Sequence, residues 1–178
     1  MLKDKCKKGM FDEARIQLSL FGWVEKGKFL VIPNVSWSWF HWETDLVAIT
    51  KAGYVHEYEI KISHADFKND FKKPKHYSLK DAYNKQIHEN RLRRMPNYFW
   101  YVAPIKAIPL CVPEYAGLVE VAYDRYGLRL FMIKKPSLLH HNKISDEGIK
   151  GLMRSLMFKY WKIARDRDYW KIQKDLFK

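Results

Sequence analysis

The chain has only two cysteines among its 178 residues, Cys6 and Cys111. Far apart and unpatterned, they form neither a disulfide framework nor a zinc motif, and both read as ordinary thiols. The seven histidines likewise show no ligand spacing with acids or cysteines that would hold zinc. No apolar run approaches bilayer thickness, and Met1-Leu2-Lys3-Asp4-Lys5-Cys6 lacks the apolar stretch of a secretory signal. The expected setting is therefore cytoplasmic, intracellular and soluble, with no membrane partner and no small-molecule cofactor. There is no repeat, low-complexity tract or Ser/Gly linker at which to cut the chain. Its length suits one domain with a proper core. Acid is also in short supply: 20 Asp and Glu against 33 Lys and Arg leave +13. Such an excess favours a polyanionic partner through counterion release and steering, with nucleic acid the first candidate.

The element pattern is mixed. Phe11 to Phe21 carries helical apolar spacing that Gly22 ends, and Phe29 to Ile32 is a short buried strand stopped by Pro33. A hairpin follows from Thr44 to Ser63. Helices are expected over His64 to Lys73 and Leu79 to Arg94, ended by Pro74 and Pro96. Tyr98 to Ala103 is a buried strand, and Ala116 to Val121 with Leu128 to Ile133 makes a second hairpin. Ser145 to Trp170 places Ile149, Leu152, Met153, Leu156, Met157, Tyr160 and Trp161 at helical spacing. That stripe is expected to cap the sheet of its own chain, and a homodimer is its other use. The fold class is thus α/β, or mixed α+β: a central mixed β-sheet flanked by helices. Residues 1–140 form the core and 141–178 a C-terminal helical extension packed on the same domain.

The first hairpin carries the chemistry. Its loop, Lys51-Ala52-Gly53, has three residues, and the final Gly suits a turn that needs positive φ. Pairing Thr50 with Tyr54 and counting outward places Asp45 opposite Glu59. Side chains two apart share a face, so Lys61 joins them, with Glu43 and Glu57 alongside. Facing carboxylates repel, and a bound cation removes that cost. Mg²⁺ takes one or two protein carboxylates and keeps several waters, so Asp45 and Glu59 suffice for Mg²⁺ or Mn²⁺. Such an ion acidifies bound water and neutralises phosphoryl oxygens, while Lys61 can hold the attacking water or the developing charge. Glu43 reads as a partner for Lys61 and Glu57 as peripheral.

Asp45 and Glu59-Ile60-Lys61, on adjacent strands after an N-terminal helix, resemble the PD-(D/E)xK nuclease superfamily. Glu59-Ile60-Lys61-Ile62-Ser63-His64-Ala65-Asp66-Phe67-Lys68-Asn69-Asp70 is similar to the EIKxSxxDFxxD run of its MmcB-like DNA-repair branch. Lys75-His76-Tyr77, the Tyr98 to Pro104 strand and Gly117-Leu118-Val119 fall in a similar order, covering Phe11 to Pro136. Thr44 stands where the name-giving proline would precede the aspartate. The resemblance implies a restriction-endonuclease-like core and a metal-dependent deoxyribonuclease, an endonuclease of repair, recombination or mobile elements. It makes Asp45, Glu59 and the Ile60 carbonyl metal ligands, Lys61 the water-positioning residue and Glu13 the source of an extra acidic group. A non-cleaving nucleic-acid-binding module of the same fold is the alternative.

Cations crowd the segment after the hairpin: Lys68, Lys72, Lys73, Lys75, Lys80, Lys85, Arg91, Arg93 and Arg94. As a cluster they are expected to hold the DNA backbone. Ser63, His64 and His76 fall near the same cleft and join that set. Trp37, Trp39, Phe40 and Trp42 precede the active strand. Core packing or a dimer contact is the expected use of these rings, and stacking on exposed bases the other.

Overall fold

The computed structural model describes residues 11–35 and 39–176, with side chains as far as residue 167. Cys6 and Trp37 lie outside the described residues. Helix α1 (Glu13–Val24) opens on Asp12, whose carboxylate accepts the Arg15 backbone N–H. Gly22 does not end it; the helix continues as far as Val24, which is buried beneath it. Strands β1 (Lys28–Val35), β2 (Thr44–Thr50) and β3 (Val55–Ile60) form an antiparallel meander. Pro33 does not stop β1 but pairs with Leu46 inside it. β1 is the edge strand, so a residue without an N–H costs the sheet nothing on its open side.

The chain then leaves the sheet through α2 (His64–Asp70), α3 (Lys75–Tyr83) and the short α4 (Glu89–Leu92). Ser63 caps α2, its hydroxyl accepting the Asp66 N–H. The first expected helix ends just before Pro74, as anticipated. The second starts earlier, at Lys75, and is two short helices, broken around Lys85, whose φ is +58°. β4 (Tyr98–Pro104) returns parallel to β3, β5 (Ala116–Asp124) adds parallel to β4, and β6 (Gly127–Lys134) closes the six-stranded sheet antiparallel. Strand order follows chain order.

Both faces are covered over the parallel centre of the sheet, where buried parallel strands need it, while β6 at the edge stays largely exposed. On one face Ile16, Leu20 and Val24 of α1 pack on Leu46, Tyr58, Ile60, Val102 and Val119. On the other, Phe67, Leu79 and Ala82 pack on Phe99, Tyr101 and Leu118. Beside them α5 (Asp146–Leu176) inserts Leu152 among Ile32, Val47, Ile49 and Val55. Trp39 and Phe40 are buried in the same cluster. The core use of the aromatic run is thus realised at those two residues. Only the first turns of α5 bury their stripe: Met153, Met157, Tyr160 and Trp161 are at least half exposed. Among the described residues no helix is long and apolar enough to cross a membrane.

Candidate active site

The hairpin forms in the anticipated register. Gly53 has φ +85°, its N–H donates to the Thr50 carbonyl, and the Thr50 N–H donates to the Tyr54 carbonyl. The ladder runs from Ile49 opposite Val55 to Leu46 opposite Tyr58. One step further stand Asp45 and Glu59, where the Asp45 carboxylate accepts the Ile60 backbone N–H at 2.6 Å. From α1, Gln17 donates to the Asp45 carbonyl at 2.6 Å and fixes the backbone at this point.

Burial pushes the Asp45 carboxyl up to about 7, and the charges of Glu59 and Glu13 push the same way against the Ile60 hydrogen bond. Glu13, exposed on α1, is close enough to be felt there. Among the described residues no lysine, arginine or histidine forms an ion pair with Asp45.

Glu59 is the opposite case. Its Oε1 receives Lys61 Nζ at 2.8 Å and Lys73 Nζ at 3.1 Å, and its Oε2 receives Lys75 Nζ at 2.6 Å. Burial would raise its pKa, but the charges of Lys75 and Lys61 outweigh burial and hold it below the ordinary value. Lys61 is itself buried, yet Glu59 and Asp70 keep its ammonium protonated above the usual lysine range. It can therefore donate to a water or an oxyanion and is poorly suited to accept a proton.

Three features escaped the sequence. Asp70 lies at the end of α2 with its side chain fully buried. Its Oδ1 faces Lys61 at 3.1 Å and Lys73 at 2.8 Å, while Oδ2 meets His76 Nε2 at 2.7 Å and accepts the Tyr101 hydroxyl at 3.1 Å. The second ring nitrogen of His76 reaches the Tyr115 hydroxyl at 2.8 Å. Glu57 is not peripheral but wholly buried, with Trp42 Nε1 donating to its two oxygens at 3.0 and 3.1 Å and Lys75 at 3.6 Å. Burial pushes Glu57 up to about 8. Lys61 pairs with Glu59, Asp70 and, at 3.7 Å, Asp66; Glu43 is not its partner. The four-residue spacing of Asp66 and Asp70 on a helix entering from the Lys61 strand was the available signal.

The basic set divides accordingly. Ser63, His64, Lys68, Lys72, Arg91 and Arg93 are exposed, and Arg94 donates Nε to the Trp39 carbonyl at 2.6 Å. Lys73 is half exposed, whereas Lys75 and His76 are buried and face the carboxylates instead of solvent.

A search of known protein families finds no match for the sequence, and no curated protein matches it. A solved structure of SPO1766, a protein of unknown function from Silicibacter pomeroyi, is similar in fold, with a TM-score of 0.55 at 13% identity. The likeness covers 89% of this chain and 92% of that one. It extends to the fold alone.

Among the described residues no group of three or more His, Cys, Asp and Glu side chains is arranged to hold a metal ion. Asp45 and Glu59 supply two carboxylates, within what Mg²⁺ accepts from a protein, but both oxygens of Glu59 already receive lysine ammonium groups that an ion would have to displace. Oxygen donors suit a hard cation, and Asp45 forms no ion pair among the described residues, although the charge of Lys61 is felt there.

Proposed function

We propose that this chain is a metal-dependent nuclease that hydrolyses DNA phosphodiesters, on a restriction-endonuclease-like core. The order helix, antiparallel meander, helical crossover and parallel strand supports that core. The observation that carries the activity is Asp45: a carboxylate held at the open end of the hairpin, with a raised pKa and no cationic partner among the described residues, beside Glu59 and Lys61. Asp45, Glu59 and the Ile60 carbonyl would hold Mg²⁺ or Mn²⁺, with Glu13 a further acid whose charge reaches Asp45. The bound ion would supply an acidified water and charge neutralisation at the phosphoryl oxygens. Lys61, fixed by Glu59 and Asp70, donates from its ammonium to the attacking water or to the developing oxyanion. The exposed cations from Lys68 to Arg93 hold the flanking backbone.

One observation favours a second reading, a non-cleaving nucleic-acid-binding module. Lys73 and Lys75 already occupy both oxygens of Glu59, leaving less room for a metal there.

The test is incubation of labelled duplex, single-stranded and four-way-junction DNA with Mg²⁺, Mn²⁺ or EDTA, beside Asp45→Asn and Glu59→Gln. Both substitutions preserve shape, and in Asp45→Asn the side-chain amide oxygen can still accept the Ile60 N–H. Metal-dependent cutting by the native chain, reduced at least about a hundredfold in each variant, is the expected result. Salt-sensitive binding with no cutting in any metal would establish the second reading instead.

A further inference from the structure

Beside the carboxylate site lies a cavity of about 380 Å³. Its size is at the lower end of the range for small-ligand sites, roughly 300–1,000 Å³. We infer that it receives the base of an unpaired nucleotide whose backbone phosphate lies against Lys73 and Arg91. This deepens the nucleic-acid reading above and rests on it.

The walls are chemically divided. Trp42, Ile87, Met95 and Pro74 supply an apolar lining, and the Trp42 ring is held from two sides. Its Nε1 is bonded to Glu57, and Phe40 stacks on it with ring centres 5.9 Å apart. A ring fixed in this way can offer a stacking surface at little cost in side-chain entropy. At the rim stand Lys73 and Arg91, with Ser78 and Glu43 as hydrogen-bonding groups. His41 also lines the cavity; burial first, and then the charges of Arg94 and Arg91, hold its pKa down. Lys73 is shared with Glu59 and Asp70, and Arg91 is the exposed cation of the lining.

A free phosphate would use the cations but not the apolar wall, and a purely apolar ligand would use the wall but not the cations. A base joined to its phosphate uses both. Within a duplex the faces of a base are already stacked, so only a single-stranded or extruded nucleotide can present one. Lys73 and Lys75 line this cavity and also bond Glu59, so the bound nucleotide would sit next to the phosphodiester facing Asp45 and Glu59.

The measurement is fluorescence anisotropy in EDTA, so that no cutting is needed. A short labelled single strand is compared with the same strand carrying abasic residues at consecutive positions. The native chain should bind the intact strand about tenfold more tightly. Ile87→Trp, which fills the cavity, should erase that preference and leave the abasic affinity unchanged. If Ile87→Trp is unfolded by circular dichroism, Ser78→Trp on α3 fills the same cavity from another lining position. Equal affinity of the native chain for the two strands, or a preference that survives the filled cavity, overturns the inference while leaving the nuclease reading standing. Failure to bind either strand also overturns the inference, and the nuclease reading is then decided by the cutting assay on duplex and junction DNA with metal.

Discussion

Asp70 decides how the buried charges are held. Burial alone would raise its pKa, but the His76 hydrogen bond and the charges of Lys75, Lys73 and Lys61 outweigh burial and hold it far below the ordinary carboxylate range. A depressed folded pKa gives stability that is present above the unfolded value, near 4, and lost as pH falls through and below it. Asp70→Asn leaves Lys61 and Lys73 short of a counter-charge in a dry site, a change that typically costs about 3–5 kcal/mol. The difference in thermal midpoint between native and variant chains should therefore be largest near pH 7 and shrink as pH is lowered below about 4. A gap independent of pH would mean that Asp70 acts by packing and not by charge. Asp45, Glu59 and Lys61 were legible at this scale because a three-residue loop fixes the pairing, and the pairing fixes the face. Lys75 and His76 were not. A lysine in a basic stretch reads as solvated until the tertiary fold places acids around it, and their burial depends on how α3 docks.

Among the elements, register was the easiest property to anticipate and helix continuity the hardest. The short loop ending in Gly53 identified β2 and β3, and the aromatic, β-branched run identified β4. The break before α3 was anticipated from Pro74; the one around Lys85 was missed, because no proline or glycine marks a residue whose φ is +58°. The element contacts also depend on a residue that periodicity does not register. Asn97 is fully buried where β4 begins. Its Oδ1 accepts the Val55 N–H at 2.7 Å, and its Nδ2 donates to the carbonyls of His140 and Asn142 at 2.8 and 2.9 Å. It thus ties the start of β3 to the segment leading into α5. Asn97→Ala leaves several buried backbone groups unpaired, at roughly 1–3 kcal/mol each. Even at about 1 kcal/mol for each of the three groups, the thermal midpoint should fall by at least about 6 °C in a chain of this size. A fall of under about 2 °C would show that water replaces the amide and that this tie contributes little.

At the scale of the whole molecule, the +13 charge was legible from composition, but its distribution was not. The cations fall into two populations with different physics. Lys68, Lys72, Arg91 and Arg93 stand in solvent, where a polyanion can replace their counterions. Lys61 and Lys75 are buried against Glu57, Glu59 and Asp70, so their charge is neutralised inside the fold and carries no counterion atmosphere to release. Salt titration separates the two. If DNA lies along the exposed set, neutralising Lys68 or Arg93 to Ala should lower the slope of log affinity against log salt by about 1 each on duplex DNA. Lys75→Met should leave that slope unchanged and instead lower the thermal midpoint, because it leaves the Oε2 of Glu59 without its ammonium. A slope that falls in Lys75→Met as it does in Lys68→Ala would mean that Lys75 leaves the carboxylates to meet the backbone. The site would then exchange one anion for another as DNA arrives. Unchanged slopes in all three variants would place the DNA contact on a different face, and with it the case for the basic stretch beside Asp45 and Glu59 would fail.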